Sequence, residues 1–267
     1  MKYFIDTEFL EGTQKILFGK LKPTIDLISI GIVDENNREF YAISKEFNLK
    51  EAWNRHDVKT MTNLRGDSDT NKMKVYWIRE NVLYPIFWHL YQKYYPAKSE
   101  ELYGNLGNFI GWKERKGTGM KEFKKLLDVY GKTNKEIAEE VFQFCTNDSL
   151  PIKTSEYYNA QHENIEFYGY YCDYDWVVFC WLFGRMIDLP KGFPMYCIDL
   201  KQTLDEKAIK YVADNLKGPI VSSNYCPDYC LEKVKELSSY PKQTNEHDAL
   251  ADAKWNKQLY EFLNTLK

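Results

Sequence analysis

A chain of 267 residues that is 44% apolar has enough material for one large domain, or for a domain with a sizeable insertion. Its net charge of −3 favours no polyanionic partner, yet excludes none, because carboxylates gathered around cations leave a protein locally less negative than its sequence. No stretch approaches the ~20 uninterrupted apolar residues of a membrane span, and the N-terminus lacks the basic-then-apolar pattern of a signal peptide. No membrane association and a cytoplasmic location are therefore expected.

Residues 2–8 read as a buried strand, followed by a loop through Gly12 and Gly19. "TIDLISIGIVDENNREFYAISKEF" then reads as a hairpin around the turn-like Asp34-Glu35-Asn36-Asn37. Helical patterns follow at about 75–94, interrupted by Pro85, and at about 120–130, with a glycine-rich connector (Gly104, Gly107, Gly111, Gly117, Gly119) between them. Thr133, three residues before Glu136, signals the cap of a helix "KEIAEEVFQFC". A strand at about 165–172, a helix at about 174–187, a strand at 194–199, a helix near 202–213 and a last helix at about 248–265 complete the chain. Leading strands followed by alternating helix and strand predict an α/β fold, a mixed sheet with helices on both faces. The organisation expected is a single domain over 1–267 with a helical insertion at about 66–131.

Six cysteines (Cys145, Cys172, Cys180, Cys197, Cys226, Cys230) are scattered through apolar segments, as reduced core thiols are. Only Cys226 and Cys230 are close, and a metal site there lacks two further ligands at matching spacing.

Three stretches carry chemistry. In "YFIDTEFLEG", Asp6 and Glu8 are two apart on a strand, so they project to one face while Thr7 faces away. Two carboxylates that close raise each other's pKa unless something positive sits between them, and a hard divalent cation is the natural partner. The plain alternative is a strand that has ended by Asp6, leaving both acids solvated. In "YYCDYDWVVFCWLFG", Asp173 and Asp175 follow a strand, where ligands bind in α/β sheets, though either could simply cap the helix. In "NEHDALADAKW", His247 and Asp252 share a site only if His247 lies in the lead-in loop and leans over the helix start. The small Ala249, Ala251 and Ala253 let that helix lie close to a sheet. Asp248 is explained by the helix dipole alone.

In this order along the chain, Asp6-Thr7-Glu8, Asp175, His247 and Asp252 resemble the DEDDh 3′-to-5′ exonucleases of the ribonuclease-H-like fold. "YFIDTEFLEG", "DLISIGIVDENNREFYAIS", "YWIRENVL" and "HDALADA" are similar to the branch of mycobacterial polyadenylate-specific exoribonucleases and their relatives. The similarity lapses at about 89–131 and between 200 and 240. The second motif departs from the wider family, whose acid commonly follows an Asn a few residues earlier; here the neighbourhood reads Cys172-Asp173-Tyr174, so Asp175 takes the role and Asp173 is the fallback.

The resemblance implies a ribonuclease-H-like fold and two divalent cations, Mg²⁺ with Mn²⁺ as a substitute, on Asp6, Glu8, Asp175 and Asp252. It implies that Asp6 bridges both, that Glu8 and Asp252 complete the site nearer the nucleophile, and that His247 takes the proton from the attacking water. The partner implied is single-stranded RNA with a free 3′ end, released as nucleoside 5′-monophosphates, with a bias toward adenosine and a homodimer implied by the resemblance alone. Glu8 and Phe9 are the candidates for touching the terminal nucleotide. Arg79 in "YWIRENVL" is a candidate for a substrate or subunit surface. Two other readings compete: a DNA exonuclease with the same chemistry, and a non-catalytic nucleic-acid-binding relative. The Lys-rich helix "MKEFKKLLDVYG" reads first as a solvated face.

Overall fold

A computed structural model of the protein describes residues 1–15, 21–61, 71–96, 118–146, 164–215 and 227–266. In chain order these form β1 (Lys2–Lys15), β2 (Leu21–Asp34), β3 (Glu39–Ile43), α1 (Leu49–Asn54), β4 (Asp57–Met61) and β5 (Asn71–Val75). A π-helical turn (Arg79–Leu83) runs into α2 (Tyr84–Tyr94), followed by α3 (Thr118–Tyr130) and α4 (Asn134–Thr146). Then come β6 (Glu166–Gly169), α5 (Asp173–Phe183), β7 (Ile198–Asp199), α6 (Leu200–Asn215), α7 (Pro227–Lys235) and α8 (Ala249–Thr265). A five-stranded sheet has the order β3-β2-β1-β6-β7, with β1, β6 and β7 mutually parallel, and β4 and β5 form a separate antiparallel pair. The architecture is mixed α/β, as expected.

The chain divides into two compact units. The first comprises Met1–Phe9, Ser29–Ala42 and Asn134–Lys267. Its core follows from the alternation of β1. Tyr3 points to one face, where its ring lies 5.6 Å from Phe167, which in turn meets Trp176 and Phe179 of α5 at 5.3 and 4.9 Å. Phe4 points to the other, stacked 5.5 Å from Tyr168 and 5.3 Å from Tyr260 of α8, above buried Leu259, Leu263 and Leu204. Helices thus cover both faces.

Two details bring α8 onto this sheet. At Gly31 in β2 an added Cβ would lie 2.2 Å from the carbonyl oxygen of Ala249, so the first turn of α8 rests on strand backbone that only glycine leaves bare. The buried Lys257 donates to the Glu35 carbonyl at 2.9 Å and to Asn37 Oδ1 at 2.5 Å, fastening α8 to the turn between β2 and β3. That turn is held by Asp34, whose Oδ1 accepts from the backbone of Asn36 and Arg38, while Asn37 takes the left-handed φ of 64°.

The second unit, Leu10–Ile28 and Ile43–Thr133, packs Trp53, Leu83, Phe87, Leu90, Phe123 and Leu127 into its own core. The helices expected within 66–131 fall here.

Several boundaries differ from expectation. β1 continues through Gly12 to Lys15, and Gly19 lies outside the described residues. Pro85 does not interrupt its helix. It has no N–H to give, and the turn before it widens instead, with the Tyr84 N–H reaching back to the Arg79 carbonyl. α5 stops at Phe183, where Gly184 turns with φ of 121°, and β7 is two residues long because Pro194 precedes it and only Tyr168 and Gly169 of β6 remain to pair. Of the glycine-rich connector, Gly104 to Gly117 lie outside the described residues. Cys145, Cys172, Cys180, Cys197 and Cys230 are free thiols, and Cys226 is not described. Among the described residues no helix is long and apolar enough to cross a membrane.

Candidate metal centre

The site is assembled where β1 outruns β6. Pairing ends at Phe4 with Tyr168, so the next groups on that edge of β1, the Ile5 carbonyl and the Thr7 N–H, have no strand partner. Side chains close the gap. The buried Asn256 of α8 donates to the Ile5 carbonyl at 2.9 Å, and Asp175 Oδ1, in the first turn of α5, accepts the Thr7 N–H at 2.8 Å and its hydroxyl at 2.6 Å. Asp6 lies between these two anchored points on the opposite face.

Asp6, Glu8 and Asp252 each bring a carboxylate oxygen to within 4.8 Å of the others. The strand pair projects together as its spacing requires, and Asp252, one turn before Asn256, comes down from α8. Glu8 is 9% exposed and Asp252 7%, so burial and mutual repulsion act together. Burial, then Asp175, Glu8 and Asp252 in that order, hold Asp6 well above the ordinary carboxylate range. Glu8 is pushed up to about 8 by burial, then by Asp252 and Asp175. Burial raises Asp175 to about 6 against its hydrogen bonds from Thr7, and raises Asp252 against those from Gln243 and His247. Asp175, Asp252 and Asp248 act on both Asp6 and Glu8 in the same direction. An all-oxygen cluster of this kind fits a hard divalent cation and is costly without one.

His247 is not on the last helix. It stands in the lead-in loop, two residues before Ala249, with Asp248 as the N-cap accepting from Ala251 N–H at 2.9 Å. Its φ of 68°, after 56° at Asn245, is left-handed, a conformation that costs a non-glycine residue energy. The bend aims the half-exposed imidazole over the cluster, with Nδ1 4.0 Å from Glu8 Oε1, and its backbone N–H donates to Asp252 Oδ2 at 2.9 Å. Asp252 Oδ1 accepts from Gln243 Nε2 at 2.6 Å. The acid is therefore fixed through both oxygens.

The two acids of the second motif separate cleanly. Asp175 is buried and tied to β1, whereas Asp173 is exposed, and the N-cap position belongs to Cys172 rather than to either acid. Asp175 lies outside the group of three within 4.8 Å, yet close enough to be the strongest charge acting on Asp6. Phe9 is partly exposed, its ring 5.8 Å from the exposed Tyr174. Two lysines of α3 are solvated and paired, Lys124 with Asp128 and Lys125 with Glu122, and Lys121 is exposed.

Sequence reasoning missed Gln243, Asn256, Gly31 and the part played by Thr7. Gly31 was visible as a lone glycine inside "LISIGIVD", the signature of a close backbone approach, and Asn256 as the residue four after Asp252. Gln243 carries no such signal.

No protein-family model matches the chain. Over 254 residues, covering 95% of this chain and 88% of the relative, it is 23% identical to the 3′-5′ exoribonuclease of Mycobacterium tuberculosis, with the same figures for two strains. The chain is similar, at a distance, to a bacterial 3′-5′ exoribonuclease. That similarity reaches across both units.

Proposed function

We propose that the protein is a metal-dependent 3′-to-5′ exoribonuclease of the DEDDh type, with the ribonuclease-H-like fold, shortening single-stranded RNA to nucleoside 5′-monophosphates. The observation that carries this reading is the meeting of Asp6, Glu8 and Asp252 within 4.8 Å beneath an imidazole held by a left-handed bend. The distant exoribonuclease similarity supports the same reading.

Asp6, Glu8 and Asp252 would hold divalent cations, Mg²⁺ or Mn²⁺, with Asp175 as the fourth acid. Bound there, a pair of cations supplies an activated water and stabilises the charge that develops on the leaving 3′ oxygen. The remaining work belongs to the chain. Thr7 orients Asp175, Gln243 and the His247 backbone orient Asp252, and Asn256 keeps α8 against β1. The His247 imidazole accepts the proton of the attacking water and passes it to solvent from its exposed edge. Phe9, adjoining Glu8, lies against the terminal nucleotide, and Glu8 with the backbone beside it senses the 2′-OH that separates RNA from DNA.

The test is a 5′-labelled oligoribonucleotide beside its deoxy counterpart, with Mg²⁺, with Mn²⁺ and with EDTA. A descending ladder on RNA that EDTA abolishes is the expected outcome. Internal cuts, activity on circles or faster loss of DNA would overturn it.

A further inference from the structure

The second unit carries charge of the opposite kind. β4 and β5 form a two-stranded ribbon whose described side chains are exposed at 57–60 and 72–74. Lys59, Lys72 and Lys74 stand on it, and among the described residues none has an ion pair or hydrogen bond. Register places Lys72 opposite Thr60 and Lys74 opposite Val58, so these two share one face about 6.7 Å apart along the strand, with Lys59 on the other. Lys124 and Lys125 of α3, by contrast, sit beside acids at helical spacing. Within β4 and β5 the one acid is Asp57, while the sequence between them adds Arg65, Asp67 and Asp69, which lie outside the described residues.

At the base of the ribbon lies a built feature. His56, just before β4, and Tyr76, just after β5, bring their rings to 5.2 Å. The Arg79 guanidinium lies 3.6 Å from the Tyr76 ring centroid and 5.9 Å from that of Trp53. Among the described residues it meets no carboxylate, and its buried Nε has no hydrogen-bond partner. An arginine stacked on an aromatic face, with no carboxylate partner among the described residues, keeps guanidinium N–H groups beyond the buried Nε to offer to an oxyanion. Trp77, two residues earlier in the chain, is 45% exposed, an aromatic on which a base can stack.

We propose that this ribbon and the Arg79 clamp form a second binding surface that holds the phosphate backbone of the RNA substrate. The proposal rests on the exoribonuclease reading for the identity of the polyanion. Three lysines with no ion pair among the described residues and a guanidinium fit spaced phosphates, and the exposed Trp77 favours nucleic acid over an acidic peptide.

The experiment is binding of a long single-stranded oligoribonucleotide to the full chain in EDTA, followed by fluorescence anisotropy over a salt series. Each phosphate neutralised on a single strand contributes about 0.7 to the slope of log K against log salt, so the combined K59Q, K72Q and K74Q variant should lower that slope by about 1.4, the share of the two lysines on one face. Arg79→Lys should weaken binding at every salt concentration, because an ammonium cannot keep the stacked fork. The triple variant should cleave a dinucleotide as the parent does and lose kcat/KM only on long RNA. An unchanged slope in a folded triple variant would overturn the proposal, as would polyglutamate competing on equal terms with RNA. Failure of the exoribonuclease reading shows separately, as absence of dinucleotide hydrolysis by the unmodified protein.

Discussion

The acid cluster and the basic ribbon solve opposite electrostatic problems. Asp6, Glu8 and Asp252 are packed together where water is scarce, each raised above its ordinary pKa, and Asp252 is held through both oxygens by Gln243 and the His247 backbone. Lys59, Lys72 and Lys74 stand apart in solvent on a ribbon without a core. Like charges cost little at that exposure, because solvent and salt screen them, and they act at the range of a Debye length of ~8–10 Å. Buried like charges cost much and persist only where something compensates. The first arrangement suits chemistry at a fixed point, and the second suits capture of a long charged chain.

Removing the acids is the sharpest way to break the first half of that comparison. Asp6→Ala, Glu8→Ala, Asp175→Ala and Asp252→Ala should each reduce RNA hydrolysis by several orders of magnitude while circular dichroism stays native. Asp173→Ala should keep its activity. If Asp173 proves essential and Asp175 dispensable, the contrast between the buried and the exposed acid is misread.

His247 comes next. His247→Ala should lower kcat by about 10²–10⁴-fold with cation binding retained. His247→Gly should lose the same activity yet gain about 1 kcal/mol of unfolding free energy, because glycine takes the φ of 68° without strain. A glycine variant less stable than the alanine variant would show that the bend stores no strain.

Gly31→Ala tests whether the cluster depends on the approach of α8. The methyl would meet backbone at 2.2 Å, so denaturant unfolding should lose about 1–3 kcal/mol and activity should fall with it, since Asp252 and His247 ride on that helix start. Retained activity in a destabilised variant would separate the fold from the site.

Titration sharpens the comparison further. Glu8 and Asp175 have folded pKa values of about 8 and about 6, above their unfolded values, so they favour the native state fully only below the unfolded pKa. In EDTA, Tm should therefore fall as pH rises from about 5 to about 8. A divalent cation that binds the native state alone adds about 2.7 kcal/mol at a hundred times its Kd, and this rescue should be largest at the alkaline end. Equal rescue at both ends would remove the cluster as the binding site.

The smallest effect belongs to the ribbon. Lys72→Gln or Lys74→Gln should change unfolding free energy by no more than about 0.5 kcal/mol, because these side chains are exposed. A larger loss would mean that the lysines serve the fold.

The sequence by itself determined which residue types could form this site. Period-two spacing put Asp6 and Glu8 on one face of a strand, the small residues around Asp252 marked a helix able to lie close, and the Asp34 turn between β2 and β3 was legible from local chemistry. These are short-range rules, decided by backbone geometry within a few residues. Tertiary structure alone decided between Asp173 and Asp175, because both satisfy the helix start equally and only the end of β6 leaves a bare Thr7 N–H for one of them to accept. It also decided that His247 leaves the helix through a left-handed bend, that Gln243 reaches back to Asp252, and that Arg79 is clamped between Tyr76 and Trp53. Each of those contacts joins groups whose closeness no local propensity encodes, since it arises from where strands stop and from which backbone groups are then left without a partner.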